Sequence, residues 1–176
     1  MNVEFKVINL AQDYDFCVAA RKDAYYCSFE TFSGFDDFIA GYRERIQERQ
    51  SEAGWFSIHI WLDGKLVGQL EFRSFSPEPE TGYVHLVYLL PEVRGSGLSQ
   101  QVQVYIETEL ARAGCDRAVL SVSRTNARAL RFYRRNGWVY CCPNPKHDET
   151  DFYQLQLRAY KAFKRDSCRV AFLVCG

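Results

Sequence analysis

Apolar and polar residues alternate from Glu4 to Leu10, with Phe5, Val7 and Asn9 on one side, which predicts a first strand. Two stretches of helical character follow, Gln12 to Tyr26 and Asp36 to Gln50. The loop between them, Ser28 to Phe35, holds Phe29, Phe32, Gly34 and Phe35. Apolar runs at Trp55 to Leu62 and Lys65 to Ser74 flank Asp63-Gly64, a strong hairpin signal. Pro77, Pro79 and Gly82 mark a loop, and the near-continuous apolar run Tyr83 to Leu90 predicts a buried strand. Leu98, Val102, Tyr105, Ile106, Leu110 and Ala113 then recur at spacings of three and four, the stripe of an amphipathic helix, which Gly114 ends. Arg117 to Ser123 alternates again, and Asn126 to Asn136 is a short helix stopped by Gly137. Trp138 to Cys142 and Phe152 to Arg158 are the last paired strands, joined through Pro143-Asn144-Pro145 and a polar run to Asp151.

This order predicts one α/β (α+β) domain, with a central mixed, mostly antiparallel sheet flanked by helices. At 176 residues, with no internal repeat or low-complexity linker, one domain with a sizeable core is expected. Its expected extent is residues 1–158. Residues 159–176 form a C-terminal extension in which apolar Val170 to Val174 follows the basic stretch Lys161 to Arg165. An added edge strand, a partner-binding segment and a homodimer contact are all open for it.

Charge and composition narrow the function classes. Lys plus Arg and Asp plus Glu are both 22, so the net charge is zero and nothing calls for nucleic acid or an anionic membrane as partner. Arg128, Arg131, Arg134 and Arg135 are read as a solvated helix face. The 13 Phe, 11 Tyr and 3 Trp indicate a packed globular chain. Met1 to Leu10 lacks the basic start and apolar block of a signal peptide, and no apolar run reaches the roughly 20 residues of a membrane helix. The seven cysteines show no framework spacing, so reduced thiols and a cytoplasmic location are expected. Cys141, Cys142, His147 and Cys168 lack a C-x2-C pair, and no metal site is expected.

The most informative stretch is Pro91-Glu92-Val93-Arg94-Gly95-Ser96-Gly97-Leu98-Ser99, between an apolar strand and an amphipathic helix. First-turn amides of a helix lack internal partners and carry the positive end of its dipole. Gly95 and Gly97 let the backbone approach an anion closely, and Arg94 adds positive charge. This arrangement suits a diphosphate. It is not a Walker loop, since Gly-Lys-Ser/Thr is absent. Nor is it a dinucleotide fingerprint, since Gln100 stands at the third glycine position.

A second block reads Asn126-Ala127-Arg128-Ala129-Leu130-Arg131-Phe132-Tyr133-Arg134-Arg135-Asn136-Gly137-Trp138. Together with the loop, and with Val87, Leu89 and Pro91 at the end of the preceding strand, it resembles the GNAT superfamily of acetyl-CoA-dependent N-acetyltransferases. That family's loop runs Arg/Gln-x-x-Gly-x-Gly/Ala; Ser99 stands here where the family has Gly or Ala. The resemblance covers about a third of the chain. It implies a sheet splayed around Val87 and Leu89, whose backbone would pair with the pantetheine arm, and an amide near Val87 that would stabilise the oxyanion. It implies a diphosphate site at Arg94, Gly95, Ser96, Gly97, Leu98 and Ser99. It places Asn126 near the pantetheine arm, a role to set beside its natural one as a helix N-cap. By the same resemblance the Tyr133 hydroxyl lies near the CoA sulfur, where hydrogen bonding to the departing thiolate matters more than full proton transfer.

The implied activity is direct acetyl transfer from acetyl-CoA to a primary amine of a small molecule or peptide. The alternative is a noncatalytic acyl-CoA-binding or interaction module. A transferase needs a base, because an ammonium is not a nucleophile. His85, Tyr83, Glu71 and His59 are candidates, and His85 is favoured because it shares strand parity with Val87 and Leu89. The acceptor stays open. Tyr25, Tyr26, Phe29, Phe32, Phe35, Phe38 and Tyr42 line a pocket or pack the core, and Asp36, Asp37, Glu78 and Glu80 would suit a cationic acceptor.

Overall fold

A computed structural model describes residues 1–157; the whole of the expected C-terminal extension, 159–176, therefore lies outside the described residues. The chain opens with strand β1 (Val3–Val7) and helices α1 (Leu10–Phe29), α2 (Phe35–Ile39) and α3 (Tyr42–Ser51). Strands β2 (Trp55–Leu62), β3 (Lys65–Arg73) and β4 (Thr81–Leu89) follow, then a short 3-10 turn (Pro91–Val93) and helix α4 (Leu98–Arg112). The series ends with β5 (Arg117–Ser123), α5 (Ala127–Arg135), β6 (Val139–Pro143) and β7 (Thr150–Gln156). The strands form one sheet in the order β1-β2-β3-β4-β5-β7-β6. Its neighbours are antiparallel except β4 and β5, which are parallel. This is the single, mixed, mostly antiparallel α/β domain that the pattern of elements predicts.

Where local structure departs from expectation, a specific backbone group decides. Asn9 leaves the first strand and caps α1, its side chain accepting from the Ala11 amide. α1 runs on to Phe29 and stops where Glu30 turns left-handed. The helix expected over Asp36 to Gln50 is two helices, because Gly41 adopts φ 66° between α2 and α3.

Strand register sorts the middle of the sheet into two faces. Ile58, Leu70 and Val87 lie in one cross-strand row and Phe56, Phe72 and Val84 in the next. These residues join the main core, which also takes in Leu98, Val102, Ile106 and Leu110 of the α4 stripe. At Gly82 a Cβ would come within 2.6 Å of Leu110, so the close approach of β4 and α4 requires glycine. The opposite face carries the rows His59–Gln69–Tyr88 and Ser57–Glu71–Leu86 under α1 and α3.

Candidate active site

β4 and β5 pair only over Thr81–Val84 and Arg117–Leu120; beyond that the two strands separate. Between them lies a cleft of about 690 Å³, lined by α1, the end of β4, the glycine loop, β5 and α5. The sequence-predicted Val87, Leu89, Arg94, Gly95, Ser99, Asn126, Tyr133 and His85 all line it. Residues up to 48 positions apart along the chain, from His85 to Tyr133, are thus brought to one opening.

Gly95 (φ 81°) and Gly97 (φ 88°) hold left-handed conformations with no atom within 4 Å of a built Cβ. This is open space in front of exposed backbone, as close docking of an anion requires. Gly97 is the N-cap of α4, so the amides of Leu98 and Ser99 precede the first intrahelical bond, which Gln100 makes to the Gly97 carbonyl. The rest of the loop is structural. The Ser96 hydroxyl donates to the Val93 carbonyl at 2.7 Å, and the Leu98 side chain is fully buried. Arg94 does not stand free beside the loop. Its Nε donates to the Leu89 carbonyl, and its Nη2 to the Asp23 carboxylate, each at 2.7 Å. Arg94 thereby ties the end of β4 to α1, and Asp23 neutralises its charge.

Asn126 caps α5, accepting from the Ala129 amide at 3.1 Å, while it also borders the cleft. Tyr133 packs against Phe132 and Trp138. Burial pushes its phenol up to about 12. It therefore stays protonated at neutral pH, a hydrogen-bond donor rather than a strong acid.

His85 corrects the parity argument. Phe72 pairs with Val84 but Glu71 pairs with Leu86, so His85 is the extra residue of a β-bulge. The bulge turns His85 and Leu86 to the same face, opposite Val87. The His85 ring stacks on Trp55 at 5.2 Å and tilts against Tyr83 at 4.6 Å. Burial, then the charges of Arg49, Arg73 and Arg21, lower its pKa to about 3. It is neutral at physiological pH and a very weak base.

The other candidate bases sit in a buried network. Glu71 receives Arg21 through two guanidinium nitrogens, together with the Tyr42 hydroxyl and the Gln69 amide. Burial alone would raise its carboxyl, but Arg21 and these hydrogen bonds outweigh burial and hold it below the usual carboxylate range. His59 lies deeper, against Gln69 and Cys17, and burial lowers its pKa. Burial raises the pKa of Tyr83.

Sequence reasoning missed several residues that line this cleft. Arg21 closes its α1 end, and His147 reaches it from the β6–β7 loop. Buried Asn144 pins that loop through the Ser121 hydroxyl at 3.1 Å. The expected aromatic cluster divides: Tyr25, Phe29 and Phe38 line the cleft, while Phe35 and Tyr42 are buried. Tyr26 and Phe32 stack on each other at the surface, 4.9 Å apart. Asp36, Asp37, Glu78 and Glu80 are not among the lining residues. Among the described residues, no three of His, Cys, Asp or Glu are grouped to hold a metal ion, and no helix is long and apolar enough to cross a membrane.

The fold in which this cleft lies is shared with known proteins. The family model of the acetyltransferase (GNAT) family matches residues 17–138, and the chain belongs to that family. The fold is similar to that of PaiA N-acetyltransferase from Thermoplasma acidophilum, solved with coenzyme A. Identity is 16%, the TM-score 0.68, and the match covers 89% of this chain and 99% of that one. It is also similar to ribosomal-protein-alanine N-acetyltransferase from Brucella melitensis, at 16% identity and TM-score 0.66, covering 87% and 99% of the two chains. An N-acetyltransferase from Staphylococcus aureus Mu50 matches at 20% identity and TM-score 0.66, covering 90% and 100%. No curated protein sequence matches the chain.

Proposed function

We propose that this protein transfers an acetyl group from acetyl-CoA directly to a primary amine of a small molecule or peptide. The observation that carries this is the splay after Val84 and Leu120, which opens strand backbone beside a glycine loop at a helix start. Acetyl-CoA would supply the activated acetyl group and depart as the free thiol: a C–N bond forms as the C–S bond breaks. The loop backbone from Gly95 to Ser99 would hold the diphosphate, with the Arg94–Asp23 tie keeping the loop and β4 in register. The unpaired end of β4 at Val87 and Leu89, with the Asn126 amide, would seat the pantetheine arm. An amide near Val87 would hold the carbonyl oxygen as it gains charge. Tyr133 would donate a hydrogen bond to the departing sulfur.

The amine must lose a proton. His85, so weakly basic, serves this best by ordering a water that carries the proton out. Its weakness is also what favours a second reading, an acyl-CoA-binding module without turnover. Calorimetric titration with acetyl-CoA, followed by thiol release against a panel of amines, separates the two. Binding with amine-dependent release supports the transferase, and binding without release from any amine supports the module. No binding overturns both.

A further inference from the structure

We infer that the acceptor amine carries a second group, an oxyanion of the carboxylate or phosphate type, seated in an arginine-lined recess at the α1–α3 end of the cleft. The amine part of this inference rests on the acetyl-transfer reading above; the anion site stands on its own geometry.

The recess holds about 160 Å³ and is lined by Arg21, Phe38, Tyr42, Arg45, Arg49 and His85. Arg21, Phe38 and His85 also line the main cleft, so the two spaces adjoin. Three guanidinium groups therefore surround a volume that has no acidic residue in its lining. The carboxylate nearest to them is Glu71, whose side chain is 2% exposed and which contacts both Arg21 and Arg49, the latter at 3.6 Å. One carboxylate against three guanidinium charges leaves the recess positive. The strain is felt at Arg49: burial, together with the charges of Arg21 and Arg45, lowers its pKa against the pull of Glu71. Confining like charges in a partly buried pocket is unfavourable unless an anion completes it.

Two further observations lie at or beside this corner; of the two residues concerned, His85 lines the recess and Arg73 sits behind it on the shared Trp55 and Tyr83 rings. His85 Nε2 and Arg73 Nε are buried and have no hydrogen-bond partner among the described residues. Both side chains lie against Trp55 and Tyr83. A buried polar group without a partner is rare and calls for a ligand or an ordered water. Arg73 can only donate, and a neutral imidazole can offer one N–H, so both suit oxygen acceptors. Tyr42 and Trp55 fix the guanidinium planes: Arg45 lies over Tyr42 and Arg49 over Trp55 at 4.4 Å. Arg45 is anchored further by donating to the Phe38 and Ala40 carbonyls. A preorganised guanidinium is the best side-chain partner for a planar or tetrahedral oxyanion. The same charges repel a polyamine.

The test is calorimetry on the full-length protein loaded with CoA. Four titrants separate the chemistries: γ-aminobutyrate, aminopropylphosphonate, butylamine and putrescine. The expected result is that at least one acid-bearing amine binds about tenfold or more tightly than butylamine, with putrescine weakest. The two acids tell carboxylate from phosphate-type recognition. Arg49→Gln should remove that preference and Arg49→Lys should keep part of it, with the affinity for CoA the same in all three proteins. Equal binding of butylamine or putrescine overturns the inference, as does a preference that survives Arg49→Gln. If CoA does not bind, the acetyl-transfer reading fails by itself. The acids are then titrated into the free protein, where heat absent from wild type or unaltered by Arg49→Gln overturns the anion site separately.

Discussion

The two faces of the central strands are built from the same backbone but do opposite work. Towards α4, the rows Phe56–Phe72–Val84 and Ile58–Leu70–Val87 meet Val102, Ile106 and Leu110 in a wholly apolar interior. Towards α1 and α3, the rows carry His59, Gln69, Glu71 and Arg73, and two arginines from the covering helices reach down to Glu71. The apolar face gains from burial. The polar face makes every charge depend on a partner, and its partners run out at the cleft edge. One side of the sheet is held by burial, the other by charges that depend on one another.

The largest expected effect tests whether the polar face is one electrostatic unit. Glu71→Ala leaves Arg21 and Arg49 facing each other without compensation, and about 3–5 kcal/mol of stability should be lost. Denaturant unfolding measures it. A change below about 1 kcal/mol would mean that the network is not coupled and that the contrast between faces is wrong. On the apolar face, Leu110→Ala should cost roughly 3 kcal/mol through the cavity it leaves against Gly82. Its loss should be independent of pH and salt, unlike that of Glu71→Ala.

Tyr133 carries a hydroxyl in from the apolar side. Tyr133→Phe keeps the packing against Trp138 and should lower kcat about 10²-fold with little change in KM for acetyl-CoA. Turnover that is indifferent to this change would remove Tyr133 from the chemistry.

The polar face should also show in pH dependence. The folded-state pKa of His85 is about 3, far below its ordinary value, because burial and then the charges of Arg49, Arg73 and Arg21 disfavour its protonated form, with Glu71 opposing. The unfolded chain takes up this proton from about pH 6.5 downward while the folded chain does not. Stability is therefore full above that pH and falls as pH drops towards 3, with a slope of at most about 1.4 kcal/mol per pH unit from this group. The depressed Glu71 carboxyl adds a further loss below its ordinary range, as pH falls through its folded value. His85→Gln should make the limb between pH 6.5 and 3 shallower without abolishing it, since His59 and, below its ordinary range, Glu71 still contribute; urea midpoints across that range would reveal it. The smallest effect belongs to Asn126→Ala, about 1 kcal/mol from the lost α5 cap. A larger fall in acetyl-CoA affinity than in stability would show that Asn126 also serves the ligand.

Much of this was legible along the chain. The glycine loop, the α4 stripe and the Asn126 to Trp138 block are local patterns, because a helix start, a turn and an amphipathic face are each set by residues a few positions apart. They suffice for the order of elements and the sheet class, and the residues they single out line one cleft. What could not be read were long-range pairings. Nothing near Arg94 announces Asp23, 71 residues away, as the partner that takes its charge. Nothing around His85 announces a bulge, since that extra residue is counted against β3 and not against its own neighbours. The slip of one position sent His85 to the face opposite Val87, into a field of arginines contributed by α1, α3 and β3.

The sequence by itself determined the elements and the loop that suits a diphosphate, since these follow from local spacing and backbone freedom. The tertiary structure alone decided which charges meet. Coulomb and desolvation energies depend on distances and burial that exist only once helices and sheet have packed. The arginine-lined recess beside the cleft is a product of that packing: Arg21 of α1 and Arg45 and Arg49 of α3 line it, and Arg21 and Arg49 meet over buried Glu71.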